Sequence, residues 1–417
     1  MSSLSWVFIF AVALTEAMPH YTNVNKLPLY EVHAGDNYDL GLQMGARFAS
    51  SISDRYSRST ELNTLLECVR GEGKSAYDIF LSNATRQFPQ YVRELRGISD
   101  GSGQPFDAVF AMNMREEIGE FCPELANHEW VGHCSDVVIA ADGSSSEGSA
   151  VLLDAHNEDS GGNDVNNTFI LHAHLGATDN EFWAYVYAGD LPSGAFGWMP
   201  NRSLAFSLNY VQPSVGVLGG YGRGFLSRAL LDTKSIDEMT QIATMDGQCA
   251  GHNYQLMDFS AKIVLNVEAA NYGQHAIYEV VAAAAQKRIK KHWGGERKED
   301  ESTTSPFFHA NEYLHLAINQ TYSASSQARE LRFSQLPSPV DLVSALDVIG
   351  DTEPTSPPIL TAKLMAKKSQ EDTYTIYRDG TDGGYTLHSA IFDIIARTIT
   401  VLGGNPKDEN VLFRFDV

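Results

Sequence analysis

Gly132-His133-Cys134-Ser135-Asp136-Val137-Val138-Ile139-Ala140 is the stretch on which the reading of the chain turns. A cysteine stands at the mouth of a β-branched run, with helical patterns before it and a hairpin pattern after it. In such a place a cysteine is ordinarily a small buried hydrophobe. If the peptide bond before it were cut, Cys134 would carry a thiol and a free α-amino group together. An α-amino group has a pKa of about 7.7–8.0, against about 10.4 for lysine, so it can serve as a base near neutral pH. Nucleophile and base would then sit on one residue.

Working outward, the 417 residues allow one large domain or two ordinary ones, and a hydrophobic content of 43% provides for a core. The formal net charge of −22 excludes nucleic-acid binding by electrostatics, which needs clustered Lys and Arg. The cysteines are Cys68, Cys122, Cys134 and Cys249, with no metal-type CxxC spacing, and a Cys68–Cys122 bridge is compatible with the sequence. Leu4–Leu14 (LSWVFIFAVAL) followed by Thr15-Glu16-Ala17 has the form of a secretory signal over residues 1–17 and is too short to span a bilayer. The sequons at Asn83, Asn166, Asn201 and Asn319 fit a secreted or endolysosomal protein, the route being cytoplasmic if the first segment is no signal. No later segment reaches the ~18 uninterrupted apolar residues of a membrane helix.

Before Cys134 the texture is α. Gly35–Leu65 carries Leu40, Met44, Phe48 and Ile52 at helical spacing, with Asp36 or Asn37 as the cap. Gly41 and Gly45, one turn apart, each cost a helix ~1 kcal/mol and make sense where another backbone packs closely. Tyr77–Ile98 and Phe106–Phe121 read as further helices, with Asp100–Gly103 as a turn between them. After Cys134 strands dominate: 135–140, 150–155, 168–175, 181–187, 204–211, 254–259, 262–268, 276–281, 373–377, 386–393, 398–403 and 411–415. Helices are expected over 224–231, 235–245, 323–333 and 340–349, the second opened by the capping pattern Ser235-Ile236-Asp237-Glu238. Residues 294–306 read as a surface loop and Lys287–Lys291 as a solvated face. Blocks of strands and helices, rather than strict alternation, indicate α+β layers.

Several short motifs then follow in order. They are Gly35–Gly45 (GDNYDLGLQMG), Glu94–Gly103 (ELRGISDGSG), Asn113-Met114-Arg115-Glu116-Glu117, Cys134-Ser135, Asn157-Glu158-Asp159, Phe308–Tyr313 (FHANEY), Tyr385–Asp393 and Phe413–Asp416. Together they resemble the penicillin-acyltransferase-like branch of the N-terminal-nucleophile cysteine hydrolases, which takes in isopenicillin N acyltransferase and hydrolases of β-alanyl-amines. The resemblance runs from about Tyr30 to Val417. It implies a four-layer αββα sandwich with two antiparallel sheets, made as one precursor and cut between His133 and Cys134. Residues 18–133 would form the α chain and 134–417 the β chain, the two remaining associated.

By the same resemblance Cys134 is the nucleophile, Asn311 the oxyanion donor, and Asp159 with Asn157 the holder of the new α-amine. Arg115 and Glu116 would brace the helical part against the site. The activity implied is hydrolysis of small N-acyl amides, β-alanyl-amines above all, through a thioester. An acyltransferase on the same site, or an inactive secreted binding protein on this fold, is the alternative. This chemistry needs no cofactor. The chain departs from the family at His133, where glycine is common. It departs again at Asp382-Gly383-Gly384, where the acyltransferase has a Ser-Arg pair. That stretch offers no clamp for an anionic substrate, and Asp382 would suit a cationic amine. His172 and His174 face one side of a strand, but no third metal ligand stands at suitable spacing, so no metal is assigned. The local signature of a papain-like protease, a cysteine between glycine and tryptophan, is absent.

Overall fold

The computed structural model describes residues 27–125, 134–141, 150–280, 305–358 and 372–417. The signal-like segment 1–17, His133, most of the loop 294–306 and Lys287–Lys291 lie outside the described residues. Strand β1 (Leu29–Ala34) leads into α1 (Asn37–Arg47), α2 (Ala49–Arg58), α3 (Thr60–Arg70), α4 (Lys74–Gln87), α5 (Pro89–Ser102), α6 (Phe106–Asn113) and α7 (Arg115–Gly119).

The helical pattern over 35–65 is thus cut into pieces. Asp36 caps α1 through the Asp39 amide at 3.0 Å, and Ser59 caps α3 through the Leu62 amide at 3.1 Å. Between α1 and α2, Phe48 leaves helical geometry, its ring stacked on Phe169. Pro89, which has no N–H to give, opens α5 and splits the pattern over 77–98.

The glycine pairs answer one another across α1 and α5. A Cβ on Gly41 would lie 1.9 Å from the Glu94 carbonyl oxygen, and one on Gly97 would lie 2.2 Å from that of Tyr38. Close approach of two backbones therefore accounts for both pairs. It also corrects the turn expected at 100–103: α5 runs through Gly101, and the chain turns only at Gly103, with φ +73°. A Cys68–Cys122 disulfide ties α3 to the segment after α7.

The second part holds β2 (Ser135–Ala141), β3 (Val151–Gly161), β4 (Thr168–Leu175), β5 (Asn180–Tyr187), β6 (Phe196–Met199) and β7 (Leu204–Val211). Then come α8 (Arg223–Leu230), α9 (Ile236–Ala243), β8 (Gly251–Asp258), β9 (Ile263–Ala269), β10 (His275–Glu279) and β11 (Phe307–His309). The chain closes with α10 (Ala324–Gln335), α11 (Leu342–Ile349), β12 (Gly384–Asp393), β13 (Thr398–Leu402) and β14 (Val411–Asp416). One sheet has the order β1-β4-β5-β6-β7-β8-β9-β10, and the other β11-β2-β3-β12-β13-β14. Pairing is antiparallel apart from β1 with β4, which is parallel. The strand expected over 373–377 is instead irregular chain: Tyr374 bridges Thr355, and the Tyr377 amide donates to the Asp351 carbonyl.

Alternation along β2 and β3 builds the layers. Val138 and Leu152 enter the core between the sheets with Tyr185, Trp198, Leu387 and Phe392. Val137, Ile139, Leu153 and Ala155 point the other way, against Leu346 and Ile349 of α11. Helices α1 to α6, α8 and α9 cover the outer face of the larger sheet, packing on Phe169, Leu171 and Phe206. The architecture is the αββα sandwich. Its central layer boundary, between the sheets, is where β2 delivers Cys134.

Candidate active site

The ladder of β2 with β3 pairs Asp136 with His156 and Ser135 with Asn157, so the next residue back, Cys134, falls beside Glu158. Paired residues in an antiparallel ladder point to the same side. Accordingly the Cys134 thiol lies 3.3 Å from Glu158 Oε2, and His156 Nε2 lies 3.0 Å from that same oxygen. His156 Nδ1 is 2.7 Å from Asp136 Oδ1, and the Tyr187 hydroxyl donates to Glu158 Oε1. Asn209 Nδ2 donates to Asp136 at 2.7 Å from the larger sheet. Cys134, His156 and Glu158 are all buried.

Burial pushes the Cys134 thiol up to about 12, the Glu158 charge adds to this, and His156 works against it. For His156, burial disfavours the cation, but the Asp136 charge and hydrogen bond outweigh it and hold the imidazolium well above its ordinary range. His156 and Glu158 had no assigned role in the linear reading. Their signal is the alternation in β3: once residues 154–159 are a strand, His156 and Glu158 must share the face of Asp136.

Asp159 and Asn157 occupy the opposite face. Asp159 Oδ1 accepts from the Thr386 hydroxyl at 2.7 Å, and its other oxygen has no partner among the described residues. Burial raises the Asp159 carboxyl to about 7 against the opposing charges of Arg378 and Arg329. Asn157 donates to the Ile349 carbonyl at 2.7 Å and accepts from the Ser389 hydroxyl at 2.7 Å, fastening the end of α11 to the sheet.

Arg329, a buried residue of α10, joins two of the sequence candidates. One of its Nη atoms donates to the Cys134 carbonyl and the other to Asn311 Oδ1, each at 2.8 Å. Asn311 Nδ2 donates in turn to the Tyr210 carbonyl at 2.9 Å. An arginine within a short polar helix reads as solvent-facing, and only the small Ala324 and Ala328 beside it hint at burial.

Arg115 and Glu116 do pair, at 3.6 Å, but the closer partner of Glu116 is Arg223 of α8, at 2.8 and 3.0 Å. Arg115 also reaches Asp190 at 3.4 Å. With Arg55, Ser160 and Asp164 they line a cleft at the end of β3. Asp382 is bound by the buried Arg378 at 3.0 Å, so the loop folds a basic residue back to a place where the linear stretch shows none. His172 and His174 share a face, and the parallel partner β1 sets Glu31 and His33 beside His174, with ligand atoms within 4.8 Å. Strand pairing, rather than spacing, supplies these neighbours.

Acyl-coenzyme A:6-aminopenicillanic acid acyl-transferase is the family whose model matches residues 145–408, a stretch that begins between β2 and β3 and so lies C-terminal to Cys134. The chain belongs to this family. It is 24% identical over 400 residues to the beta-alanyl-dopamine/carcinine hydrolase of Drosophila melanogaster, covering 90% of this chain and 92% of that one. A solved structure, the Caenorhabditis elegans ortholog of N-acylethanolamine-hydrolyzing acid amidase, aligns with a TM-score of 0.33 and 11% identity, over 68% of this chain and 99% of that one. Family membership makes the chain an enzyme of the self-processing cysteine amidohydrolase and acyltransferase class, acting on amide bonds. Among the described residues no helix is long and apolar enough to cross a membrane.

The buried charges set a pH dependence of stability. Asp159, Glu117 and Glu312 are each raised to about 7, chiefly by burial. Such a carboxyl keeps its proton in the fold after the unfolded chain has lost it, so stability falls as pH rises through the folded value. His156 and His309, held as cations above the usual histidine range against the pull of burial, act in the same direction. His252 and His388, lowered by burial to about 4 and about 3, act oppositely, but only below the unfolded histidine value of about 6.5. Between pH 6.5 and 8 the thermal midpoint is expected to fall, with a loss on the order of 2 kcal/mol. Melting curves across that window test this, and a flat or rising midpoint would refute it.

Proposed function

We propose that the precursor cuts itself between His133 and Cys134, giving an α chain of residues 18–133 and a β chain of residues 134–417 that stay together. Cys134, then N-terminal, attacks small N-acyl amides and passes through a thioester that water resolves. The observation that carries this reading is the placement of the Cys134 thiol. It stands at the start of a central strand, beside Glu158 and His156, while Arg329 links its carbonyl to Asn311. Asn311 would donate to the developing oxyanion. Hydrolysis of β-alanyl-amines is the preferred activity, on the strength of the Drosophila relative, with transfer of the same acyl group to an amine as the alternative outcome of one intermediate. A cysteine nucleophile with acid–base side chains needs no metal or organic cofactor for this route.

A secretory or endolysosomal location agrees with the Cys68–Cys122 disulfide, which persists in oxidising compartments, and with the exposed sequons at Asn166, Asn201 and Asn319. Arg115 and Glu116 brace α7 against α8 and the cleft instead of touching the thiol.

The test is denaturing mass measurement and N-terminal sequencing of the expressed chain, followed by turnover of β-alanyl-dopamine, carcinine and simple N-acyl amines. A fragment beginning at Cys134 together with release of free amine supports the reading. A single uncut and inactive chain returns the protein to the binding-protein alternative.

A further inference from the structure

The first cut poses a problem that the mature enzyme does not have. Before cleavage the Cys134 nitrogen is an amide and carries no basic lone pair, so the α-amine cannot receive the thiol proton. Another group facing the thiol has to. Asp159, the carboxylate expected from the family resemblance, points to the opposite face of β3, where it is bound by Thr386. On the thiol's own face, Glu158 Oε2 is already hydrogen-bonded to Sγ at 3.3 Å.

Resting on the reading of Cys134 as the self-cleaving nucleophile, we propose that Glu158 is its acid–base partner during the cut. Glu158 Oε2 takes the proton from Sγ, and the thiolate adds to the His133 carbonyl carbon, forming a C–S bond. As the tetrahedral species collapses, the C–N bond to Cys134 breaks, and the Glu158 carboxylic acid returns its proton to the departing nitrogen. The products are a thioester and a free amine, with Glu158 again a carboxylate. Water then adds to the thioester and the C–S bond breaks; one water proton goes to sulfur, the other to the freed α-amine of Cys134, and His133 is left with a carboxylate end. No other reactant is required.

The surroundings of Glu158 fix the directions of both its oxygens. His156 donates to the oxygen that faces Sγ, and Tyr187 donates to the other oxygen. Asp136 accepts from the far side of the His156 ring and fixes its plane. Asp136 itself is held from the larger sheet by Asn209 and Ser207, so the orientation of Glu158 is set by both sheets at once. In this chain the carboxylate comes from Glu158, the position that the motif Asn-x-Asp leaves open.

The experiment follows conversion of freshly made full chain to fragments, by gel and intact mass, in the natural sequence, Glu158→Gln, Glu158→Asp, Asp159→Asn and Cys134→Ala. Glu158→Gln should slow the cut by about 100-fold or more, in line with the loss of a general base. Glu158→Asp should recover a measurable part of the rate, which a purely structural loss would not allow. Asp159→Asn should slow the cut less than Glu158→Gln, and the reverse order would overturn the proposal in favour of Asp159. Thermal unfolding of each variant separates misfolding from a slow cut. Cleavage of Glu158→Gln at the natural rate, in a protein whose Cys134→Ala form stays whole, would overturn the role of Glu158 and leave that of Cys134 standing. A natural chain that never cuts would remove both.

Discussion

Replacing Cys134 by alanine is expected to leave one full-length chain and to lower amide turnover by at least about 10⁴-fold, the scale on which loss of a nucleophile is felt. Among the described residues no second free thiol lies beside Glu158 and His156. Among the described residues the free cysteines are Cys134 and Cys249, and Cys249 sits in the core of the helical layer. Its thiol is pushed far above the ordinary cysteine range by burial and by the Glu117 charge. Cys249→Ala therefore serves as the control that keeps both the cut and the activity. The fold should survive Cys134→Ala, since one buried sulfur is worth only about 1 kcal/mol of transfer free energy. Denaturing mass, thermal unfolding and turnover on the two variants check this together. Activity in uncut Cys134→Ala would place the nucleophile elsewhere.

The ease of placing Cys134 from sequence, and the failure to place its neighbours, have one physical origin. A cysteine at the start of a β-branched run is a local pattern, and so are the capped helix at Asp36, the capping serine at Ser235 and the strands 168–175 and 204–211, which the structure reproduces. Even the α1–α5 approach was legible, because glycines one turn apart have few other reasons to occupy a helix. Short elements were not. Strands β6 and β11 are too brief to show a period, and each is a strand only because a neighbour supplies the ladder. Residues 157–159 likewise allow a hairpin end until β12 is seen paired along them. That pairing sorts Glu158 and Asp159 onto opposite faces, a distinction that no linear motif containing both can make. Arg329 and Arg378 escaped notice for a related reason. A buried arginine is identified by the groups it neutralises, and Asp159, Asp382 and Asn311 reach them only through the tertiary fold.

Asn311 offers the sharpest test of what lies on the carbonyl side of the nucleophile. Its side-chain amide is fixed at both ends: the oxygen accepts from Arg329, and the nitrogen donates one hydrogen to the Tyr210 carbonyl. The plane of the amide is thereby set, and the second N–H hydrogen has a defined direction. A preorganised donor of this kind contributes about 2.7–4 kcal/mol to an oxyanion transition state, because its orientation costs nothing at the moment of reaction. Asn311→Ala is accordingly expected to lower kcat by about 10²–10³-fold with a much smaller change in KM. Alanine also strips Arg329 of a partner, so a loss of stability would accompany the loss of rate and confuse its cause. Asn311→Asp separates the two effects. An aspartate still presents an oxygen to the Arg329 guanidinium, now as a buried ion pair, but it has no N–H to give. If Asn311 is the oxyanion donor, Asn311→Asp, which keeps the Arg329 partner though it loses the hydrogen bond to the Tyr210 carbonyl, is as slow as Asn311→Ala. If Asn311 merely holds Arg329 against the Cys134 carbonyl, Asn311→Asp restores kcat to within about 3-fold of the natural enzyme, less than the loss of a single oxyanion hydrogen bond would cause.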